Sequence, residues 1–123
     1  MALIAMVFPI PPEKLDRWRA GIESFAGERR AEYEAARGRQ GVLRQGVFLQ
    51  QGPDGPLEIL VMETEDPERM FRGIATSTEP FDVEFRAFVQ DVYGLDLAAP
   101  SPMPVPEQLL DLDLTDRRVR SAG

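Results

Sequence analysis

The chain of 123 residues contains neither histidine nor cysteine. Their absence excludes Ser-His-Asp and Cys-His catalysis, structural zinc sites, thiol redox chemistry and the usual axial ligands of haem. The sequence therefore predicts no metal site and no cofactor. Asparagine is also missing, and Lys14 is the one lysine beside thirteen arginines, a bias typical of GC-rich bacterial genomes.

Positive charge and long apolar runs are scarce as well. The net charge is −7, which disfavours nucleic acid and anionic membranes as partners because phosphate binding requires a positive surface. The apolar run Met1–Phe8 ends at Pro9, lacks the basic segment of a signal peptide and is too short to span a membrane. We therefore expect a cytoplasmic, globular protein.

Four short segments have the apolar pattern of β-strands, at 2–8, 42–50, 57–62 and 109–114. The first and third are apolar on both faces, which is typical of buried central strands. The second and fourth mix polar residues into a period of two, which is typical of edge strands. In the second strand, one predicted face carries Leu43, Val47 and Leu49, and the other carries Val42, Arg44, Gly46 and Phe48. The turn residues between 51 and 56 predict a hairpin that joins the second strand to the third.

Two helical regions connect these strands. The first carries an apolar stripe at spacings of three and four. Gly27 interrupts it, which predicts either a kink or a second short helix with Tyr33 turned inward. The second region begins at Asp66-Pro67, breaks at 76–78 and ends at Gly94. The residues of the first stripe are Leu15, Trp18, Ile22 and Phe25.

This order of elements predicts an α+β fold of the ferredoxin-like type, a split βαββαβ unit with an antiparallel sheet and helices on one face. The first and third strands would lie at its centre. The uncovered face would expose Phe48 and alternate residues of the central strands, an apolar patch that requires a partner. We therefore expect a homodimer formed through the two open sheet faces.

The chain length is that of one domain, which we place at residues 1–114. Residues 98–106 contain four prolines and predict a stiff, extended connection to the last strand. Residues 115–123 are predicted to be a flexible tail.

Three stretches resemble an uncharacterised bacterial family of small ferredoxin-like proteins: residues 41–50 (GVLRQGVFLQ), 77–82 (STEPFD) and 84–88 (EFRAF). That family is similar to the dimeric α+β barrel superfamily, and the resemblance covers residues 1–114. It implies the fold and face-to-face dimerisation but no agreed activity. Members often have a histidine where this chain has Phe85, so any role of that histidine is lost here.

Better-known relatives in the superfamily include haem-degrading enzymes, quinol-forming monooxygenases and small decarboxylases. Their histidine-based haem chemistry cannot apply to a chain without histidine.

Candidate ligand-binding residues come from the aromatic stripes and from the second and third strands. Aromatic residues at helical spacing could line a pocket between helices and sheet, although such stripes more often form plain core. Arg44 could anchor an anionic ligand, but a cross-subunit ion pair or a solvated position is a simpler explanation. The candidate residues are Trp18, Arg44, Phe48, Met62 and Phe85.

Asp111 and Asp113 lie on one face of the predicted last strand. Two carboxylates alone make a poor cation site, and charges on an edge strand discourage aggregation. By the parity of the strands, we expect Arg44 to lie within ion-pair reach of one of these aspartates in the partner subunit. The argument assumes that no β-bulge intervenes, and Gly46 is where a bulge could occur.

Two functional hypotheses are open. One is an interaction or small-ligand-binding module without catalysis, since no catalytic constellation can be assembled from the sequence. The other is a cofactor-independent enzyme, monooxygenase- or decarboxylase-like, acting on a small apolar or aromatic molecule inside the barrel. A closed cavity with polar ends between helices and sheet would favour a ligand, whereas a solid core would favour an interaction protein.

Overall fold

A computed structural model describes residues 2–99 and 106–115. It has an α+β fold in which four α-helices accompany a three-stranded antiparallel sheet. A short 3-10 turn, Pro12–Lys14, precedes the first helix. The elements in chain order are β1 (Ala2–Pro9), α1 (Leu15–Ala26), α2 (Arg30–Arg39), β2 (Val42–Gly52), β3 (Gly55–Thr64), α3 (Pro67–Thr76) and α4 (Pro80–Tyr93).

The strand order is β1-β3-β2, with both pairs antiparallel. The central position of β3, the edge position of β2 and the hairpin between them are confirmed. The prediction that the first strand is also central is wrong for the part of the chain that the structure describes. There β1 forms an edge, because no fourth strand pairs with it.

The predicted last strand is wrong: residues 109–114 have an irregular backbone and exposed side chains. Alternation of leucine and aspartate is insufficient here because a strand also needs a neighbour to accept its backbone hydrogen bonds. Instead, Asp113 Oδ1 accepts a hydrogen bond from the backbone N–H of Thr115 at 3.0 Å, a local contact that competes with sheet pairing. Residues 100–105 of the predicted proline-rich connection and residues 116–123 of the predicted tail lie outside the described residues.

The helix boundaries follow the predicted signals. The side chain of Asp66 accepts a hydrogen bond from the backbone N–H of Arg69 at 3.2 Å and caps α3. Gly94 ends α4 in the left-handed conformation, at φ 70°, which glycine adopts without strain. Of the two alternatives at Gly27, the second short helix is correct: α2 follows and contributes Tyr33 to an aromatic cluster. Within residues 2–99 and 106–115, no helix is long and apolar enough to cross a membrane.

All helices that contribute to the core lie on one face of the sheet. Met6 and Met62 pack with residues of α3, whereas Phe48 points from the opposite face and is 57% exposed. A bulge between Val42 and Arg44 corrects the predicted parity at the start of β2. Val42 therefore lies on the helix side, and Leu43 is half-exposed instead of facing the core. The bulge occurs here and not at Gly46.

Two helical glycines give a test of the packing between α1 and α4. A Cβ on Gly21 would lie 2.3 Å from Cε2 of Phe88, whereas a Cβ on Gly38 would meet nothing within 4 Å. We expect Gly38→Ala to raise the free energy of unfolding by about 0.4–1 kcal/mol. Gly21→Ala should lower it by about 1–3 kcal/mol, because the crowding exceeds the gain in helix propensity. Urea denaturation of both variants measures this, and equal effects of the same sign would contradict the packing described.

Candidate functional site

A cavity of about 80 Å³ lies between the sheet and the helices. Most of its wall is apolar, and the polar side chains that reach it form two groups. Glu58 and Tyr93 come from β3 and from the end of α4, while Tyr33, Arg37 and Gln45 come from α2 and β2. The apolar wall includes Met6, Phe8, Leu60, Met62, Phe85 and Phe88.

Glu58 lies on the helix-facing side of β3 and is only 5% exposed. Its Oε1 accepts hydrogen bonds from Trp18 Nε1 at 2.7 Å and from the Tyr93 hydroxyl at 2.5 Å. Trp18 Nε1 also lies 2.9 Å from the Tyr93 oxygen. The carboxylate thus has two neutral donors on one oxygen. Among residues 2–99 and 106–115, no arginine or lysine forms an ion pair with it.

Tyr93 is held in its protonated form. Burial raises the pKa of its hydroxyl, and the negative charge of Glu58 together with the hydrogen bond to it raises that pKa further. The protonated hydroxyl therefore remains a donor to Glu58 throughout the physiological range.

This raised pKa predicts a pH dependence of stability. An unfolded tyrosine has a pKa of about 10, so the folded protein binds this proton more tightly than the unfolded chain. The stabilisation is complete below about pH 10 and is lost as the pH rises toward the folded pKa. We expect the free energy of unfolding, relative to that of Tyr93→Phe, to be constant from pH 7 to 9 and to fall above about pH 10. Urea titrations of both proteins at each pH test this; parallel curves up to pH 11 would contradict it.

Arg37 forms the other polar group of the cavity and is 9% exposed. Its Nε donates to Gln45 Oε1 at 3.0 Å, its Nη1 to Gln40 Oε1 at 2.7 Å and its Nη2 to the Tyr33 hydroxyl at 3.2 Å. The guanidinium carbon lies 4.7 Å from the ring centre of Tyr33 and 4.5 Å from that of Phe85, within the range of cation–π contacts.

None of these partners carries a charge. In the described part of the chain, Arg37 forms no ion pair, although a buried cation without a counter-charge is costly to keep. The other arginine that binds a well-buried side chain behaves differently: Arg39 pairs with the carboxylate of Asp82 at 3.1 Å. Arg37, like Glu58, is therefore a buried charge that forms no ion pair with another residue of ranges 2–99 and 106–115.

An open groove of about 630 Å³ runs along the outside of this wall, between α1, α2 and β2. Tyr33, Arg37 and Gln45 line both the groove and the cavity. These three side chains therefore lie where the cavity and the groove adjoin.

The structure places the predicted site residues in different environments. Met62 and Phe85 line the cavity, and Trp18 lies behind it, bonded to Glu58. Phe48 lies on the open sheet face, away from the cavity. Arg44 is exposed at the outer groove, opposite Glu63 in the strand register.

The expected pairing of Arg44 with Asp111 or Asp113 of a partner rested on a last strand that the structure does not contain. Both aspartates are exposed in an irregular segment. No group of three or more acidic residues suited to a metal ion occurs among residues 2–99 and 106–115.

Sequence reasoning missed Glu58, Arg37 and Gln45. A weak signal for Glu58 was present, since it is the one charged residue within the otherwise apolar run 57–62. Arg37 lies in a polar helix among four other arginines between 29 and 44, so nothing in the pattern marks it as buried. The hydrogen-bond partners of Tyr33 and Tyr93 lie between 4 and 75 positions away in sequence, so the neighbouring residues give no signal for them.

Comparison of the chain with protein-family models, with curated proteins and with solved structures finds no match.

Proposed function

We propose that this protein binds a small, largely apolar molecule in the cavity between its sheet and its helices, without catalysis. The observation that carries the proposal is the cavity itself, whose wall is mostly apolar. Two pairs of polar side chains reach it: Glu58 and Tyr93 from β3 and α4, and Arg37 and Tyr33 from α2. Ligand sites typically combine a mostly apolar lining with a few convergent polar groups.

The volume limits the size of the molecule. An engineered cavity of about 150 Å³ holds benzene, and this cavity is about 80 Å³. The buried part of a ligand is therefore a short chain or a small branched group, and any larger part would extend past Arg37 into the groove.

Native mass spectrometry tests for an occupant in protein purified from a bacterial lysate. Leu60→Phe enlarges a cavity-lining side chain and should expel the occupant, while Val83→Phe enlarges an exposed side chain on α4 and serves as the control. We expect a retained small molecule in the parent and in Val83→Phe but not in Leu60→Phe. Retention by all three proteins, or by none, would contradict the proposal.

We also propose that the chain forms a homodimer through its open sheet face, in a ferredoxin-like, dimeric α+β barrel arrangement. Leu3, Val7 and Phe48 are 46%, 51% and 57% exposed on that face, and contiguous apolar surface of this kind usually marks an interface. A stable dimer of this type buries more than about 1,200 Å² in total. Sedimentation equilibrium at micromolar concentration tests the proposal, and a monomer would refute it.

One observation favours an enzyme as a second candidate. Oε2 of Glu58 receives no hydrogen bond from residues 2–99 and 106–115, and the residue lines the cavity. A buried carboxylate with a free oxygen can take a proton from a bound molecule. Incubating any recovered ligand with the parent and with Glu58→Gln tests this: turnover by the parent alone would support catalysis, and an unchanged ligand in both would refute it.

A further inference from the structure

Resting on the proposed ligand site, we infer that the ligand is a small organic anion, which reaches the cavity through the outer groove and places its carboxylate or similar oxyanion on Arg37. Its short apolar body then occupies the cavity.

The first support is the unused hydrogen-bonding capacity of Arg37. A guanidinium has five N–H groups, and three of them bond to Gln45, Gln40 and Tyr33. Nη1 and Nη2 each retain one N–H group, and a guanidinium binds a carboxylate through two such groups.

Tyr33 adds a third donor. Its hydroxyl oxygen accepts hydrogen bonds from Arg37 Nη2 at 3.2 Å and from Gln45 Nε2 at 2.6 Å. Both bonds use the oxygen, so the hydroxyl proton is left to donate, and no residue in the described ranges accepts it. Two N–H groups and one O–H group beside a buried positive charge form an environment suited to an oxyanion.

The second support is the charge of the groove. Its charged residues are Arg30, Arg37, Arg44 and Glu34, and Arg30 pairs with Glu34 at 2.7 Å. The groove is therefore positive although the protein as a whole carries a charge of −7. A local positive field raises the concentration of small anions at the surface from which the cavity is reached.

Glu58 fixes the direction in which such an anion binds. Its buried carboxylate repels a second negative charge and can accept a hydrogen bond from a ligand through Oε2. The anionic group therefore lies at Arg37, and a hydroxyl or amine on the ligand would be favoured toward Glu58.

Pentanoate and pentanamide test this inference because they share a body and differ in charge. Isothermal titration calorimetry on the parent protein should show pentanoate binding at least about 30-fold more tightly than pentanamide. This factor corresponds to the lower limit for losing one partner of a buried, hydrogen-bonded charge pair. Arg37→Gln should reduce pentanoate affinity to that of pentanamide, whereas Arg19→Gln, which removes an exposed arginine outside the groove, should have no effect.

A thermal unfolding scan separates this role from a merely structural one. If Arg37 serves a ligand, Arg37→Gln removes a buried charge that has no counter-ion in the unliganded protein. The midpoint of thermal unfolding of this variant should then lie within about 4 °C of the midpoint of the parent, or above it. A large drop, together with equal binding of the two probes by the parent protein, would indicate a structural arginine and overturn the inference. The comparison of the two probes on the parent protein decides the question even if Arg37→Gln does not fold.

The outcomes distinguish the inference from the function on which it rests. Equal binding of pentanamide and pentanoate overturns the anion while leaving a small-molecule site intact. Binding of neither probe at millimolar concentration overturns both.

Discussion

We expect Trp18→Ala to lower the free energy of unfolding by about 3–5 kcal/mol, the range for truncating a buried aromatic side chain. Trp18 is 4% exposed and joins Ile10 and Val92 in one cluster of the core. It also donates a hydrogen bond to Glu58. Alanine would therefore create a cavity and remove one of the two donors to a buried carboxylate.

Trp18→Phe is the matched control, because it retains an aromatic ring in the core and removes the N–H donor together with the second ring of the indole. We expect it to cost about 1–3 kcal/mol, the penalty for leaving a buried polar group without one partner. Urea denaturation followed by circular dichroism measures both variants without relying on tryptophan emission. A loss below about 1 kcal/mol in Trp18→Ala would show that the Trp18–Glu58–Tyr93 contacts do not stabilise the fold.

The second large effect concerns assembly. In the proposed dimer, Phe48 lies at an interface formed by two identical faces, so Phe48→Asp changes both sides at once. Loss of a central aromatic anchor costs about 2 kcal/mol or more, and two such losses weaken association by about 1,000-fold. We expect the parent to sediment as a dimer at a protein concentration of about 10 µM, and Phe48→Asp to sediment as a folded monomer at the same concentration.

Val83→Asp controls for the added charge. Val83 is 49% exposed on α4, so the substitution adds an aspartate to a comparable apolar position outside the sheet. This variant should remain dimeric. A dimer that survives Phe48→Asp unchanged would show that the open sheet face is not the interface.

The sequence predicts much of this fold because local signals and burial agree. The continuous apolar run of β3 predicts a strand buried on one face and half-covered on the other. Asp66-Pro67 and Gly94 predict helix ends through local chemistry, namely the side-chain cap of Asp66 and the left-handed backbone of Gly94. The prediction fails at 109–114, where alternation is present but a pairing neighbour is not. It also fails at Leu43, because a β-bulge reverses parity without a signal in the residue pattern.

The candidate site was largely beyond prediction from sequence. Arg37 looks like any solvated arginine on a polar helix, and only the packing of Tyr33 and Phe85 around it makes it a buried charge. Glu58 reads as one polar residue in a strand, and its partners Trp18 and Tyr93 lie 40 and 35 positions away. Such a site depends on which side chains from distant helices and strands pack together. The periodicity of apolar residues in the sequence gives no information about that packing.

A titration of the methionine methyl groups by NMR tests the central claim most directly. Met6 and Met62 line the cavity, while Met70 is buried in the same core cluster without lining it. With pentanoate as the ligand, we predict saturable shifts of the Met6 and Met62 methyl signals and a much smaller shift of the Met70 signal. Unchanged signals, or shifts as large at Met70 as at Met6 and Met62, would contradict a ligand in the cavity.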